Sequence, residues 1–70
     1  MELSARNQLK GTITAIKLGG VMAEVVVDIG DGNEVVSAIT RGSVEALGLH
    51  EGMAVVAIIK STEVIIGKES

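Results

Sequence analysis

The 70-residue sequence contains no cysteine, phenylalanine, tyrosine or tryptophan. Without cysteine the chain cannot form a disulfide or a thiolate metal site, and its one histidine, His50, cannot build a metal site alone. Without aromatic side chains it lacks the stacking platforms on which proteins bind single-stranded nucleic acid. These absences exclude thiol chemistry and argue against a role in nucleic-acid binding.

Basic charge and long hydrophobic runs are also scarce. Nine acidic and six basic residues give a net charge of -3, which is the opposite of a nucleic-acid binder's electrostatic footprint. The longest uncharged run, Gly52 to Ile59, is far shorter than the roughly 20 residues of a transmembrane helix. Met1 is followed by Glu2, without the basic and apolar regions of a secretory signal. We therefore predict a cytoplasmic protein without nucleic-acid or membrane partners.

Hydrophobic residues, by contrast, are abundant for so short a chain. They make up 47% of the sequence, and the mean hydropathy is +0.50. One small domain, residues 1–70, is all that this length allows, and its core alone supplies only about 3–5 kcal/mol of net stability. Since disulfides and metals are excluded, we predict a homo-oligomer that buries the remaining apolar surface.

Local patterns predict an all-β fold in which one short helix lies between strands 3 and 4. A Gly30–Asn33 turn cluster joins the second and third strands as a hairpin. Short connections and frequent glycines favour a five-stranded OB-like barrel over a parallel βαβ sheet. The predicted strands are Leu9–Leu18, Val21–Ile29, Glu34–Thr40, Met53–Ile59 and Glu63–Ile66.

The helix is predicted from its capping residues. Thr40 is a suitable N-cap for a helix over Arg41–Leu47, and Gly48 follows at the position that favours a left-handed backbone. Val44 and Leu49 have the spacing of the apolar contact in a Schellman cap.

Three segments concentrate hydrogen-bond donors: Ser4–Gly11, Thr40–Ser43 and Lys60–Thr62. Guanidinium, ammonium, hydroxyl and amide groups together suit an anion. We hypothesise that the three segments come together around a small oxyanion. Each segment also has a purely structural explanation. Ser4–Gly11 could be a polar start to the chain, Thr40–Ser43 an ordinary helix cap, and Lys60–Thr62 the end of a strand that reaches solvent. Spacing alone leaves these alternatives open.

Catalysis has little support in the sequence. His50 lies in a predicted turn, no cysteine nucleophile exists, and Asp28, Asp31 and Glu34 surround the predicted hairpin, where acidic residues are common. The glycines do not form a G-x-x-x-x-G-K-[ST] phosphate loop. We predict that the chain is not an enzyme.

Taken together, the donor segments resemble those of the molbindin (Mop) family of small cytoplasmic molybdate-binding proteins. The resemblance is carried by three motifs in fixed order and covers almost the whole chain. They are Ser4-Ala5-Arg6-Asn7-Gln8-Leu9-Lys10-Gly11, then Thr40 and Ser43 before Val44-Glu45-Ala46-Leu47-Gly48-Leu49, and finally Ile59-Lys60-Ser61-Thr62-Glu63-Val64.

This resemblance implies an OB-like barrel in a hexamer, arranged as a trimer of dimers, with molybdate or tungstate as the bound ligand at subunit interfaces. The implied role is intracellular oxyanion storage or buffering. The alternative is a structural or regulatory interaction module that oligomerises without a storage role. The implied oxyanion-binding residues are Ser4, Ala5 through its amide, and Arg6 from one subunit, with Thr40, Ser43, Lys60 and Ser61 from its neighbour.

Overall fold

The computed structural model describes residues 1–69, and in that range the chain forms four β-strands, one α-helix and a short 3-10 helix. No helix in the described range is long and apolar enough to cross a membrane. In chain order the elements are β1 (Asn7–Leu18), β2 (Met22–Gly30), β3 (Asn33–Thr40), α1 (Arg41–Leu47), β4 (Ala54–Ile59) and the 3-10 helix (Ser61–Glu63).

The strands form one antiparallel sheet in the order β3-β2-β1-β4, curled into a half-barrel. A turn with positive φ at Gly30, Asp31 and Gly32 joins β2 to β3, and the Gly30 N–H donates to Asp28 Oδ1 at 2.8 Å. The register between β1 and β2 shifts between Ile13 and Ala15, where a bulge allows the long first strand to bend. Along β1, residues Asn7–Thr12 pair with β4 on one side and Thr12–Leu18 pair with β2 on the other.

The predicted fifth strand, Glu63–Ile66, is wrong over the described residues. Glu63 ends the 3-10 helix, and the segment Val64–Ile66 has no regular secondary structure. A strand needs a neighbour for its backbone hydrogen bonds and a surface for its side chains. Within residues 1–69 nothing supplies either, because Ile65 and Ile66 are 93% and 86% exposed. The bounds of the other four strands differ from the predicted ones by at most two residues.

The helix α1 follows β3 directly and packs beside β3 and β2. Thr40 is its N-cap, and it ends in a Schellman arrangement in which the Leu49 N–H donates to the Val44 carbonyl at 3.0 Å. Val44 is buried against the sheet and is the helix's contribution to the core. The fully buried hydrophobic residues are Ile13, Ala23, Val25, Val27 and Val44.

The loop between α1 and β4 is tied to the middle of β1. The Ile13 N–H donates to the Met53 carbonyl at 3.0 Å, and the Ile13 carbonyl accepts from the Gly52 N–H at 2.8 Å. Ile13 therefore holds this loop through its backbone hydrogen bonds and packs in the core through its side chain. Leu49 and Met53 of this loop pack against the core beside Val44 of α1.

We expect Gly11→Ala to destabilise the fold, because β1 approaches β2 too closely at this position for a side chain. A Cβ at Gly11 would collide with the Asp28 carbonyl oxygen and stand 2.7 Å from Val27 Cγ1. Overpacking of this kind costs about 1–3 kcal/mol of unfolding free energy, measurable by urea denaturation. The matched control is Gly20→Ala, where a Cβ meets nothing within 4 Å. Equal stability of the two variants would contradict the close approach.

Candidate functional site

The start of β1 lies beside the end of β4, which brings two of the three donor segments together. Asn7 pairs with Ile59 in the antiparallel register, so the residues before Asn7 and after Ile59 are neighbours. They line an open concavity of about 470 Å³, here named the Ser4–Lys60 concavity. Its lining residues are Leu3, Ser4, Ala5, Ile58, Lys60, Ser61 and Thr62.

Short local hydrogen bonds hold the two sides of this concavity. Gln8 Nε2 donates to the Ala5 carbonyl at 2.8 Å, which ties the segment before β1 to the strand. After β4, the Glu63 N–H donates to the Lys60 carbonyl at 2.9 Å and closes the 3-10 turn. Because these bonds use backbone carbonyls, the exposed side chains of Lys60 and Ser61 remain available to a ligand.

The concavity is suited to negative charge. Over residues 1–69 the only side-chain ion pair joins Arg41 to Glu45, so neither Arg6 nor Lys60 has a carboxylate partner in that range. An ammonium beside two hydroxyls can neutralise an anion and donate to its oxygens. The same part of the chain contains no group of three His, Cys, Asp or Glu residues that could hold a metal cation.

Arg6 lies next to the concavity in sequence but does not line it. Its side chain is exposed, between Ala5 on the concavity wall and Asn7 at the start of β1. Arg6 is therefore accessible from outside the chain and is not part of the concavity wall.

The third donor segment forms a separate pair of hydroxyls. The Ser43 N–H donates to Thr40 Oγ1 at 3.0 Å, and Thr40 Oγ1 lies 2.7 Å from Ser43 Oγ. Since one hydroxyl of such a pair donates to the other, the pair presents a single O–H donor outward. This Thr40–Ser43 pair is fixed by the start of α1 before any ligand binds.

The Thr40–Ser43 pair does not line the Ser4–Lys60 concavity. Thr40 pairs with Met22, near the end of β1 that carries Leu18, whereas the concavity lies at the Asn7 end. A single chain thus brings together two of the three predicted donor segments and leaves the third beside the opposite end of β1.

The concavity groups residues of one chain that the family resemblance assigns to two subunits, and that assignment stays a prediction. That division takes Ser4 and Ala5 from one subunit and Lys60 and Ser61 from another. In the structure all four line the same concavity of one chain. Thr62 also lines the concavity, although it is not among the implied oxyanion-binding residues. Its position directly after Lys60 and Ser61 is the feature of the sequence that could have identified it.

Arg41 has a contact that the sequence does not reveal. Its backbone N–H donates to the Val21 carbonyl at 2.8 Å and its Nη1 to the Gly19 carbonyl at 3.3 Å, while its Nε lies 3.8 Å from Glu45. The spacing of four residues predicts contact with Glu45. Only the fold shows that Arg41 fastens the start of α1 to the β1–β2 turn, which fixes the Thr40–Ser43 pair relative to the sheet.

We expect Thr40→Ala to lower the free energy of unfolding by about 1 kcal/mol, because it removes the acceptor for the Ser43 N–H. Thr40→Ser is the matched control, since it keeps the hydroxyl and should retain most of the stability. Urea denaturation of the two variants gives the measurement. If both variants lose the same stability, the cap is not the source of the effect.

Known proteins match this chain over nearly its full length. The TOBE domain family matches residues 3–66. Molybdenum-pterin-binding protein 1 of Clostridium pasteurianum is 52% identical over 66 residues, which are 94% of this chain and 97% of that protein. The chain belongs to the molbindin (Mop) family of TOBE domain proteins. The resemblance to this family, which the sequence analysis based on the three donor motifs, is thereby confirmed.

Solved structures agree with this Mop assignment. A molybdate-binding protein from Sporomusa ovata superposes with a TM-score of 0.90 at 44% identity, over 97% of this chain and 100% of that one. The cytoplasmic molybdate-binding protein ModG, in a crystal form with molybdate bound, gives a TM-score of 0.88 at 43% identity. That match covers 93% of this chain and 46% of ModG. The all-β architecture with one short helix therefore matches the Mop fold.

Proposed function

We propose that this chain is a single-domain cytoplasmic protein that binds molybdate or tungstate as a store or buffer and catalyses no reaction. The observation that carries the proposal is the convergence of Lys60 and Ser61 with Ser4 and Ala5 on one concavity. Molybdate binding by the Sporomusa ovata protein and by ModG supports the choice of oxyanion, and the cytoplasmic location of ModG supports the compartment.

The ligand is held at interfaces between copies of the chain, in a hexamer arranged as a trimer of dimers. A tetrahedral dianion has oxygens on every side, and an open concavity contacts only some of them. Arg6 is exposed and does not line the concavity of its own chain, which supports a role for it in a neighbouring copy's site. The Thr40–Ser43 pair, beside the opposite end of β1, supplies a further donor from outside the concavity.

The charges of such a site balance. Arg6 and Lys60 carry two positive charges against the two negative charges of molybdate, and hydroxyl and amide donors satisfy its oxygens, as a desolvated anion requires. Sulfate has the same charge and shape, so size sets the preference between the two. A site rich in donors and poor in acceptors also disfavours monohydrogen phosphate, whose O–H needs an acceptor.

Calorimetric titration with molybdate, tungstate, sulfate and phosphate tests this function. We expect saturable heat with the first two anions and weak or no heat with the others. Native mass measurement of the same samples should show the ions on an assembly larger than one chain. Absence of molybdate heat and of thermal stabilisation, at concentrations that would fill an oxyanion store, would exclude the function.

The second candidate is a structural or regulatory module that oligomerises without storing an oxyanion. The exposed apolar segment Val64–Ile66 favours it, because such a segment suits a protein contact whether or not a ligand is present. An intact assembly without molybdate binding, in the experiment above, is the result that would select this candidate.

A further inference from the structure

The Ser4–Lys60 concavity has an apolar wall beside its donor groups. Three of the seven residues that line it in the described part of the chain, Leu3, Ala5 and Ile58, have side chains of hydrocarbon only. Leu3 and Ile58 are large residues and are 49% and 44% exposed. Together they place on this wall an apolar surface that none of the proposed contacts to the oxyanion uses.

Ile58 is positioned on the wall by strand β4. It pairs with Gln8 of β1, and Lys60, two residues later, is still extended, with φ -64° and ψ 138°. Side chains two residues apart along an extended chain project to the same side. Ile58 therefore lies on the same side of the chain as Lys60, whose ammonium is a proposed contact of the oxyanion.

Leu3 supplies apolar surface from the other segment of the concavity. It directly precedes Ser4 and Ala5, and Gln8 Nε2 holds this segment by donating to the Ala5 carbonyl at 2.8 Å. Each of the two large apolar residues thus lies on a segment that also carries proposed oxyanion contacts. An anion held by these contacts exchanges part of its hydration shell for hydrocarbon.

The anions that compete for such a site differ in how tightly they hold water. Molybdate, tungstate and sulfate are tetrahedral dianions, but the two metal oxyanions are larger, so their charge is spread over a larger volume. The free energy needed to remove an ion from water rises as its radius falls, so sulfate loses more when hydrocarbon replaces its water. Attraction to an ammonium offsets this only in part, because the distance between the charges includes the radius of the ammonium and changes less with anion size.

We propose that Leu3 and Ile58 determine the anion specificity of this site, because their hydrocarbon replaces water around the ligand and thereby favours molybdate and tungstate over sulfate. This inference rests on the proposed function and adds to it the physical cause of the size preference. A polar wall would hydrogen-bond to all three anions and reduce the difference between them. Molybdate and tungstate are nearly equal in size, so the apolar wall does not distinguish one from the other.

Two substitutions at Ile58 separate the polarity of the wall from its volume. Threonine and valine have nearly the same shape, so Ile58→Thr and Ile58→Val remove similar volume, and only the first adds a hydroxyl. Each variant is titrated calorimetrically with molybdate, and sulfate and tungstate are then used as competitors. The measured quantity is the ratio of the sulfate Kd to the molybdate Kd. We expect this ratio to fall about 3- to 30-fold in Ile58→Thr and to change less than about twofold in Ile58→Val.

A second pair of substitutions repeats the comparison at Leu3. Ile58 also lines the concave face of the sheet, whereas Leu3 does not, so the Leu3 pair is independent of packing on that face. Leu3→Asn keeps the branched shape and adds an amide, and Leu3→Met keeps an apolar side chain of similar volume. We expect a lower sulfate-to-molybdate ratio in Leu3→Asn only. The tungstate-to-molybdate ratio should stay the same in all four variants, because general damage to the fold weakens the binding of every anion alike.

Equal sulfate-to-molybdate ratios within both pairs would overturn this inference, because volume and not polarity would then set the preference. In that case the natural protein still binds molybdate, and the proposed function stands. Absence of molybdate heat for the natural protein is a different result, which removes the proposed function and the specificity mechanism together.

Discussion

Lys60→Ala is expected to weaken molybdate binding by about 2–4 kcal/mol, which is roughly a 30- to 1000-fold rise in Kd, and Arg6→Ala by a similar amount. Lys60 lines the Ser4–Lys60 concavity, and within residues 1–69 no carboxylate lies within ion-pair distance of it. Its removal leaves a dianion with one cationic partner and an incompletely satisfied oxygen. Calorimetric titration of each variant measures the change.

Lys68→Ala is the matched control for charge. Lys68 is an exposed lysine that belongs to none of the three donor segments, so its loss changes the net charge equally without removing a proposed ligand contact. We expect its Kd to stay within about twofold of the natural protein, because exposed charges outside the binding site are screened by salt. Undiminished binding in both Lys60→Ala and Arg6→Ala would place the oxyanion site elsewhere.

Ile13→Ala should cause the largest loss of stability of any single substitution considered, about 2–5 kcal/mol. Ile13 is 1% exposed and is the largest side chain that is fully buried among residues 1–69. In a core of five buried residues, a cavity at this position cannot be filled by neighbours without moving the sheet. Urea denaturation at one fixed protein concentration gives the measurement, since assembly also contributes to stability.

A graded pair of controls accompanies this substitution. Ile13→Val removes one methylene and should cost about 0.5–1.5 kcal/mol, while Val21→Ala, at a 76% exposed position, should cost less than about 0.5 kcal/mol. A loss below about 1 kcal/mol for Ile13→Ala would mean that the core is centred on other residues.

The features that the sequence predicts well are local ones. The β2–β3 hairpin follows from glycine and aspartate residues that tolerate positive φ, and the bounds of α1 follow from Thr40 and Gly48 at its caps. Each of these depends on interactions within a few residues, so neighbouring residue types are sufficient to specify it.

The features that the sequence predicts poorly depend on pairing between distant residues. Val64–Ile66 has the composition of a strand, but whether a neighbour exists for it depends on the whole sheet. The grouping of Ser4 with Lys60 follows from the Asn7–Ile59 register, which residue types alone do not give. The separation of Thr40 from both has the same origin, because β1 is long enough to place the two ends of the sheet apart.

A mixed assembly of Arg6→Ala and Lys60→Ala chains tests the interface site most directly. The two inactive variants are unfolded together, refolded at equal amounts and titrated with molybdate. If Arg6 and Lys60 of one site come from different copies, about a quarter of the sites receive both residues intact and recover the natural Kd. If both residues come from the same copy, no site is intact and the mixture binds no better than either variant, which would contradict an interface site built in this way.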